Sequence, residues 1–99
     1  METREEQENG MLTLFVSGEI DGTNVDDFEK ALQSAVERTE NLRLDLSDLE
    51  YVSSTGLRVF LTTQKKVKQL GHYMELANVN DEVMDIFSVT GFVKLLNIV

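Results

Sequence analysis

The chain has 99 residues, 41% of them hydrophobic, which suffices for one core but not two, so a single domain over residues 1–99 is expected. Eighteen acidic against nine basic residues give a net charge of −9, which argues against nucleic acid and anionic membrane as partners, since both require a basic patch to displace counterions. Cysteine is absent and His72 is the only histidine, which excludes disulfides, thiolate chemistry and a histidine-rich metal site.

The first ten residues are polar and carry no apolar run of signal-peptide length. No later stretch approaches the ~20 apolar residues of a membrane span, so a cytoplasmic protein without membrane insertion is expected. Met11–Ser17 (MLTLFVS) is rich in large and β-branched apolar residues and reads as a strand ending at Gly18. The polar segment before it reads as a weaker edge strand, joined through the hairpin dipeptide Asn9-Gly10. Gly18-Glu19-Ile20-Asp21-Gly22 reads as a turn. Thr23-Asn24-Val25-Asp26 then has capping-box spacing, with Asp26 in place of the usual Glu or Gln.

A helix follows, with Val25, Phe28, Leu32, Ala35 and Val36 on one face and Asp27, Glu29, Lys30 and Glu37 on the other. Leu42, Leu44 and Leu46 alternate with Arg43 and Asp45, as in a short strand. Asp48–Ser53 reads as a loop. Leu57, Phe60, Leu61 and Val67 return to helical spacing, with Lys65, Lys66 and Lys68 complementing the helix dipole and Gly71 placed for a left-handed cap. His72–Ala77 reads as a strand, and Asn80-Asp81-Glu82 caps a third helix that closes at Thr90-Gly91. The apolar tail from Phe92 is expected to pack back on the core. Met74, Met84 and Phe87 have ordinary core spacing. This alternation predicts an α/β fold with a mixed sheet of four to five strands and helices mainly on one face, because parallel strands need right-handed helical crossovers.

One junction carries more hydroxyls than folding requires. Ser53-Ser54-Thr55-Gly56 precedes the second helix, where a single Ser or Thr as N-cap is worth about 1 kcal/mol over alanine. Loops that leave the C-terminal ends of strands in open α/β sheets are also where ligands and partners dock. A phosphate on Ser54 or Thr55 would meet the positive end of the helix and add about −1.5 to −2 charges. A partner surface fitted to a neutral hydroxyl would reject that charge. Catalysis is disfavoured: Ser54 lies outside any Gly-x-Ser-x-Gly elbow, and the sole histidine opens a later strand, so no base is available for a triad.

The segments VSGEIDGTNVDDFEKAL, LRLDLSDLEYVSSTGLRVFL and NVNDEVMDIFSVTGFVKLL, in this order and spacing, resemble the STAS domain family, and specifically the bacterial anti-sigma factor antagonists. The resemblance covers nearly the whole chain. It implies that the phosphoacceptor, two residues before the motif glycine Gly56, is Ser54. The residue before the acceptor, usually aspartate in such antagonists, is Ser53 here, which leaves Ser53 and Thr55 as alternative acceptors. The aspartate of the turn before the first helix matches Asp21; a turn-forming or capping role is the alternative for it. The implied partner-binding surface is Asp21, Thr23, Asn24, Ser53, Ser54, Thr55, Gly56 and Arg58.

The resemblance further implies partner switching. The unphosphorylated domain would bind an anti-sigma factor that is itself a serine kinase, phosphorylation of Ser54 would release it, and a PP2C-type phosphatase would restore binding. ATP and metal would belong to those partners, leaving this chain without a cofactor. The alternative is a STAS interaction module of a transporter ATPase or stress-signalling complex that is never phosphorylated.

Overall fold

A computed structural model describes all residues from 1 to 99. Strand β1 (Glu2–Glu8) and strand β2 (Met11–Ile20) form an antiparallel hairpin. Asn9 and Gly10 turn the chain with φ of 54° and 79°, the paired positive values that a two-residue hairpin of this twist demands. β2 lies parallel to β3 (Asn41–Asp45), which lies parallel to β5 (Tyr73–Ala77). The far end of β2 also pairs in parallel with β4 (Leu49–Val52). Helices α1 (Val25–Arg38), α2 (Ser54–Gln69) and α3 (Asp81–Val89) follow β2, β4 and β5. The tail makes a short 3-10 turn over Phe92–Lys94, buries Leu96 and bridges Ile98 to Leu76 at the β5 edge.

The helices cover one face of the sheet, as the single-handed crossovers predict. Leu12, Leu42 and Met74 share one row across the strands, and Leu14, Leu44 and Leu76 the next; all are buried against α1 and α2 in one core. Phe28, Phe60 and Phe87, one from each helix, meet at ring centroid separations of 5.1 and 6.0 Å. Full burial of such side chains contributes about 1.5–3 kcal/mol each. The opposite face carries the polar row Thr13, Arg43 and Glu75. Burial opposes the charge on Glu75, but hydrogen bonds from the Tyr73 hydroxyl (2.8 Å) and Arg43 Nε (2.7 Å) outweigh it and hold the carboxyl below its usual range.

Three sequence expectations are corrected. β2 does not stop at Ser17: it passes Gly18, whose φ of 83° sits at a register shift, and continues to Ile20. The expected loop at Asp48–Ser53 contains β4, whose Leu49 and Val52 are buried while Glu50 and Tyr51 face out, so no period of two was visible. The capping box at Thr23 does not form. Asn24 is the N-cap of α1 and makes no side-chain cap, because its Oδ1 accepts from the Asp21 N–H, while the Thr23 hydroxyl donates to Asp21.

Asn80 does cap α3, accepting from Val83 N–H at 3.0 Å. Its amide N–H2 reaches back to the carbonyls of Leu46, Ser47 and Leu49, so one side chain fixes both the start of α3 and the turn between β3 and β4. No helix is long and apolar enough to cross a membrane.

Candidate functional site

The C-terminal ends of β2 and β4 lie side by side, and two loops leave them. The Ser53 N–H donates to the Ile20 carbonyl at 2.9 Å, the last rung of this parallel pairing. The turn that begins at Asp21 and the turn that begins at Ser53 are therefore held against each other. A close approach at Gly56 completes the join: a Cβ there would lie 2.7 Å from Val52 Cγ2 and 2.8 Å from Ile20 Cγ2. Gly56 is itself buried, which corrects its expected place on the partner-binding surface. It admits the chain's own side chains rather than another protein's backbone.

The first of these loops is knotted by its own polar groups. Asp21 accepts from Thr23 through both the hydroxyl and the amide, the amide at 2.9 Å, and these bonds hold its carboxyl below the usual carboxylate range. Asn24 accepts from the Asp21 N–H at 3.0 Å and donates to the Glu19 carbonyl at 2.9 Å. The side chains of Thr23 and Asn24 are thus engaged within the turn, and Asp21 is its pivot. The aspartate that forms this turn thus lies next to the Ser53 loop.

The second loop separates its three hydroxyls. Ser53 is the N-cap of α2 in extended conformation; its Oγ accepts from the Gly56 N–H at 3.2 Å and lies 2.9 Å from Thr55 Oγ1 in a second hydrogen bond. Ser54 is the first residue of the helix, exposed, and its hydroxyl has no partner in the protein. Gly56 N–H and Leu57 N–H are already taken by the side chain and carbonyl of Ser53. Arg58 stands one turn along the helix from Ser54 and is also exposed. Ser54, Thr55, Arg58 and the Asp21 turn therefore share one end of the sheet. Tyr51, 45% exposed on β4 and two residues before Ser53, joins the region without having been expected there. Its signal in the sequence was an aromatic residue next to the hydroxyl run, obscured because β4 was read as loop.

This end of the sheet matches the docking position of open α/β folds. The STAS domain family model matches residues 2–99. The chain belongs to the STAS domain family. This STAS domain is 34% identical over 83 residues to the anti-sigma-B factor antagonist of Bacillus subtilis, covering 84% of this chain and 76% of the relative. The crystal structure of an anti-sigma factor antagonist from Mycobacterium paratuberculosis superposes with a TM-score of 0.87 at 26% identity, covering 98% of this chain and 83% of that one. The Bacillus cell fate determinant SpoIIAA in its phosphorylated form shares the fold, with a TM-score of 0.72 at 14% identity over 99% of this chain and 91% of that one. These relatives bear the names of regulatory proteins and not of enzymes.

Proposed function

We propose that this STAS domain is an anti-sigma factor antagonist that acts by partner switching, with Ser54 as its phosphoacceptor. The observation that carries the reading is the division of labour among the three hydroxyls: Ser53 and Thr55 are bonded to each other and Ser53 also caps the helix, while Ser54 is free and faces solvent. A kinase needs an unengaged hydroxyl, and its product needs room for three more oxygens. Of the three, Ser54 alone is both exposed and unbonded. Serine in place of the usual aspartate before the acceptor preserves the cap, because both residue types accept the same N–H.

In the binding state the partner is an anti-sigma factor with serine kinase activity, docked over the Ser54 end of α2 and the Asp21 turn. Ser54 Oγ attacks the γ-phosphorus of ATP held by that kinase; the bond to the bridging oxygen breaks, ADP leaves, and the hydroxyl proton passes to a base of the kinase. The new group carries about −1.5 to −2 charges at neutral pH. It stands at an interface built around a neutral hydroxyl, where an unmatched anion loses water without gaining a partner. The complex dissociates. Hydrolysis of the phosphoserine by a PP2C-type phosphatase releases inorganic phosphate and restores the hydroxyl.

The test is calorimetric binding of the anti-sigma factor kinase to wild type, Ser54→Ala and Ser54→Asp. The alanine variant is expected to bind within a few-fold of wild type and the aspartate variant to bind at least tenfold more weakly. Equal binding by all three, with small changes in stability only, would favour a STAS interaction module that is never phosphorylated.

A further inference from the structure

Four arginines serve this acidic chain, and three have carboxylate partners: Arg4 pairs with Glu6, Arg38 with Glu5 and Arg43 with Glu75. Arg58 has none. Its side chain is exposed and makes no hydrogen bond or ion pair in a protein with twice as many acidic as basic residues. The positions within one turn of it on α2 explain why: Ser54 and Thr55 lie towards the helix start, Leu61 and Thr62 towards its end, and none is charged.

The missing carboxylate has a place where it would ordinarily stand. The first turn of α1 carries Asp26 and Asp27, and that of α3 carries Asp81 and Glu82, whereas the first turn of α2 carries no acidic residue. Ser54 occupies that turn, and residues four apart on a helix share a face with Cβ atoms about 5–6 Å apart. An arginine stem spans that separation, and a guanidinium meets a phosphate through two parallel N–H donors. The helix end alone offers less, since the Gly56 and Leu57 N–H groups are already bonded to Ser53.

We infer that Arg58 captures the phosphoryl group of phosphorylated Ser54 within the same chain. The inference rests on Ser54 being the acceptor. Its consequence for regulation is that phosphorylation alters the docking surface twice, adding an anion at Ser54 and withdrawing the free cation at Arg58 from any partner. Arg58 is a positioning residue for the phosphorylated state and takes no part in phosphoryl transfer.

The test uses the full chain with phosphoserine installed at position 54 during translation, which needs no kinase. The 31P signal is titrated against pH in the otherwise wild-type protein and in Arg58→Gln and Arg58→Lys variants, at low and high salt. With Arg58 present, the second phosphate pKa is expected to lie about 0.2–0.7 unit below that of Arg58→Gln, the size of an exposed ion pair. Arg58→Lys should fall between, and salt should narrow the differences. Superimposable titrations of the arginine and glutamine proteins would overturn the pairing. Because the phosphate is supplied independently of any kinase, a shift in this titration stands even if the kinase leaves Ser54 untouched, and coincident curves leave the acceptor assignment intact.

Discussion

The backbone N–H of Ser53 and the carbonyl of Ile20, 2.9 Å apart, join the two loops that leave the C-terminal ends of β2 and β4. Ile20 is fully buried, so the loop bearing Ser54 is referenced to the core through this contact. The hydroxyl of Ser54 stands one residue beyond that anchor. Its position is thereby set by packing and not by loop flexibility.

Packing around that anchor predicts the effect of Gly56→Ala. The added methyl would come within 2.7–2.8 Å of Val52 Cγ2 and Ile20 Cγ2, both on buried β-branched side chains with little rotamer freedom. Destabilisation of about 1–3 kcal/mol is expected in urea denaturation. Adding Val52→Ala removes one of the two obstructing groups, so the double variant should lose less than the sum of the single losses. Strict additivity would contradict the contact.

Ser53 is predicted to act as a helix cap. Ser53→Ala should lower stability by about 1 kcal/mol, because Gly56 N–H loses its acceptor. Ser53→Asp should match or exceed wild type, since aspartate accepts the same bond and adds negative charge to a first turn that has none. Thermal unfolding of the three proteins measures both. An equal loss in alanine and aspartate variants would show that the cap is not what Ser53 supplies.

Much of this was legible in the sequence, and the exceptions share a cause. The three helices and the strand β3 announced themselves because their core residues recur at a regular period, whereas β5, buried from Met74 to Ala77, was legible without one. β4 buries Leu49 and Val52 but exposes the two residues between them, next to a register shift at Gly18, and so leaves no period to read. Gly18, with its positive φ, looked like the end of a strand that in fact continues. At the candidate site, the resemblance to the family motif singled out Asp21 and Ser54. The hydrogen bonds that engage Ser53 and Thr55 but not Ser54 were not legible, because neighbouring hydroxyl groups acquire different partners only when the helix start is built.

Acid titration tests the polar side of the sheet. Asp45 is buried; that burial disfavours its charge, but bonds from the Ser47 N–H, the Asn78 amide and the Ser47 hydroxyl, with Arg43 nearby, lower its pKa overall. A carboxyl with a depressed folded pKa contributes stability above its unfolded value of about 3.9, and that contribution is lost as pH falls through the folded value. Asp45→Asn should therefore be less stable than wild type by about 1–3 kcal/mol near neutral pH, with the gap constant down to about pH 5 and closing below 4. Chemical denaturation at a series of pH values measures it. A gap that widens in acid would contradict the assignment.

Mapping the phosphate on the intact protein tests the central claim most directly. The chain is incubated with ATP and the anti-sigma factor kinase proposed as its partner, the modified residue is located by fragmentation mass spectrometry, and the mixture is resolved by size before and after reaction. The account predicts one phosphate, on Ser54, and a complex present before reaction that is absent after it. A phosphate on Ser53 or Thr55 instead, or a complex that persists with Ser54 fully phosphorylated, would contradict it.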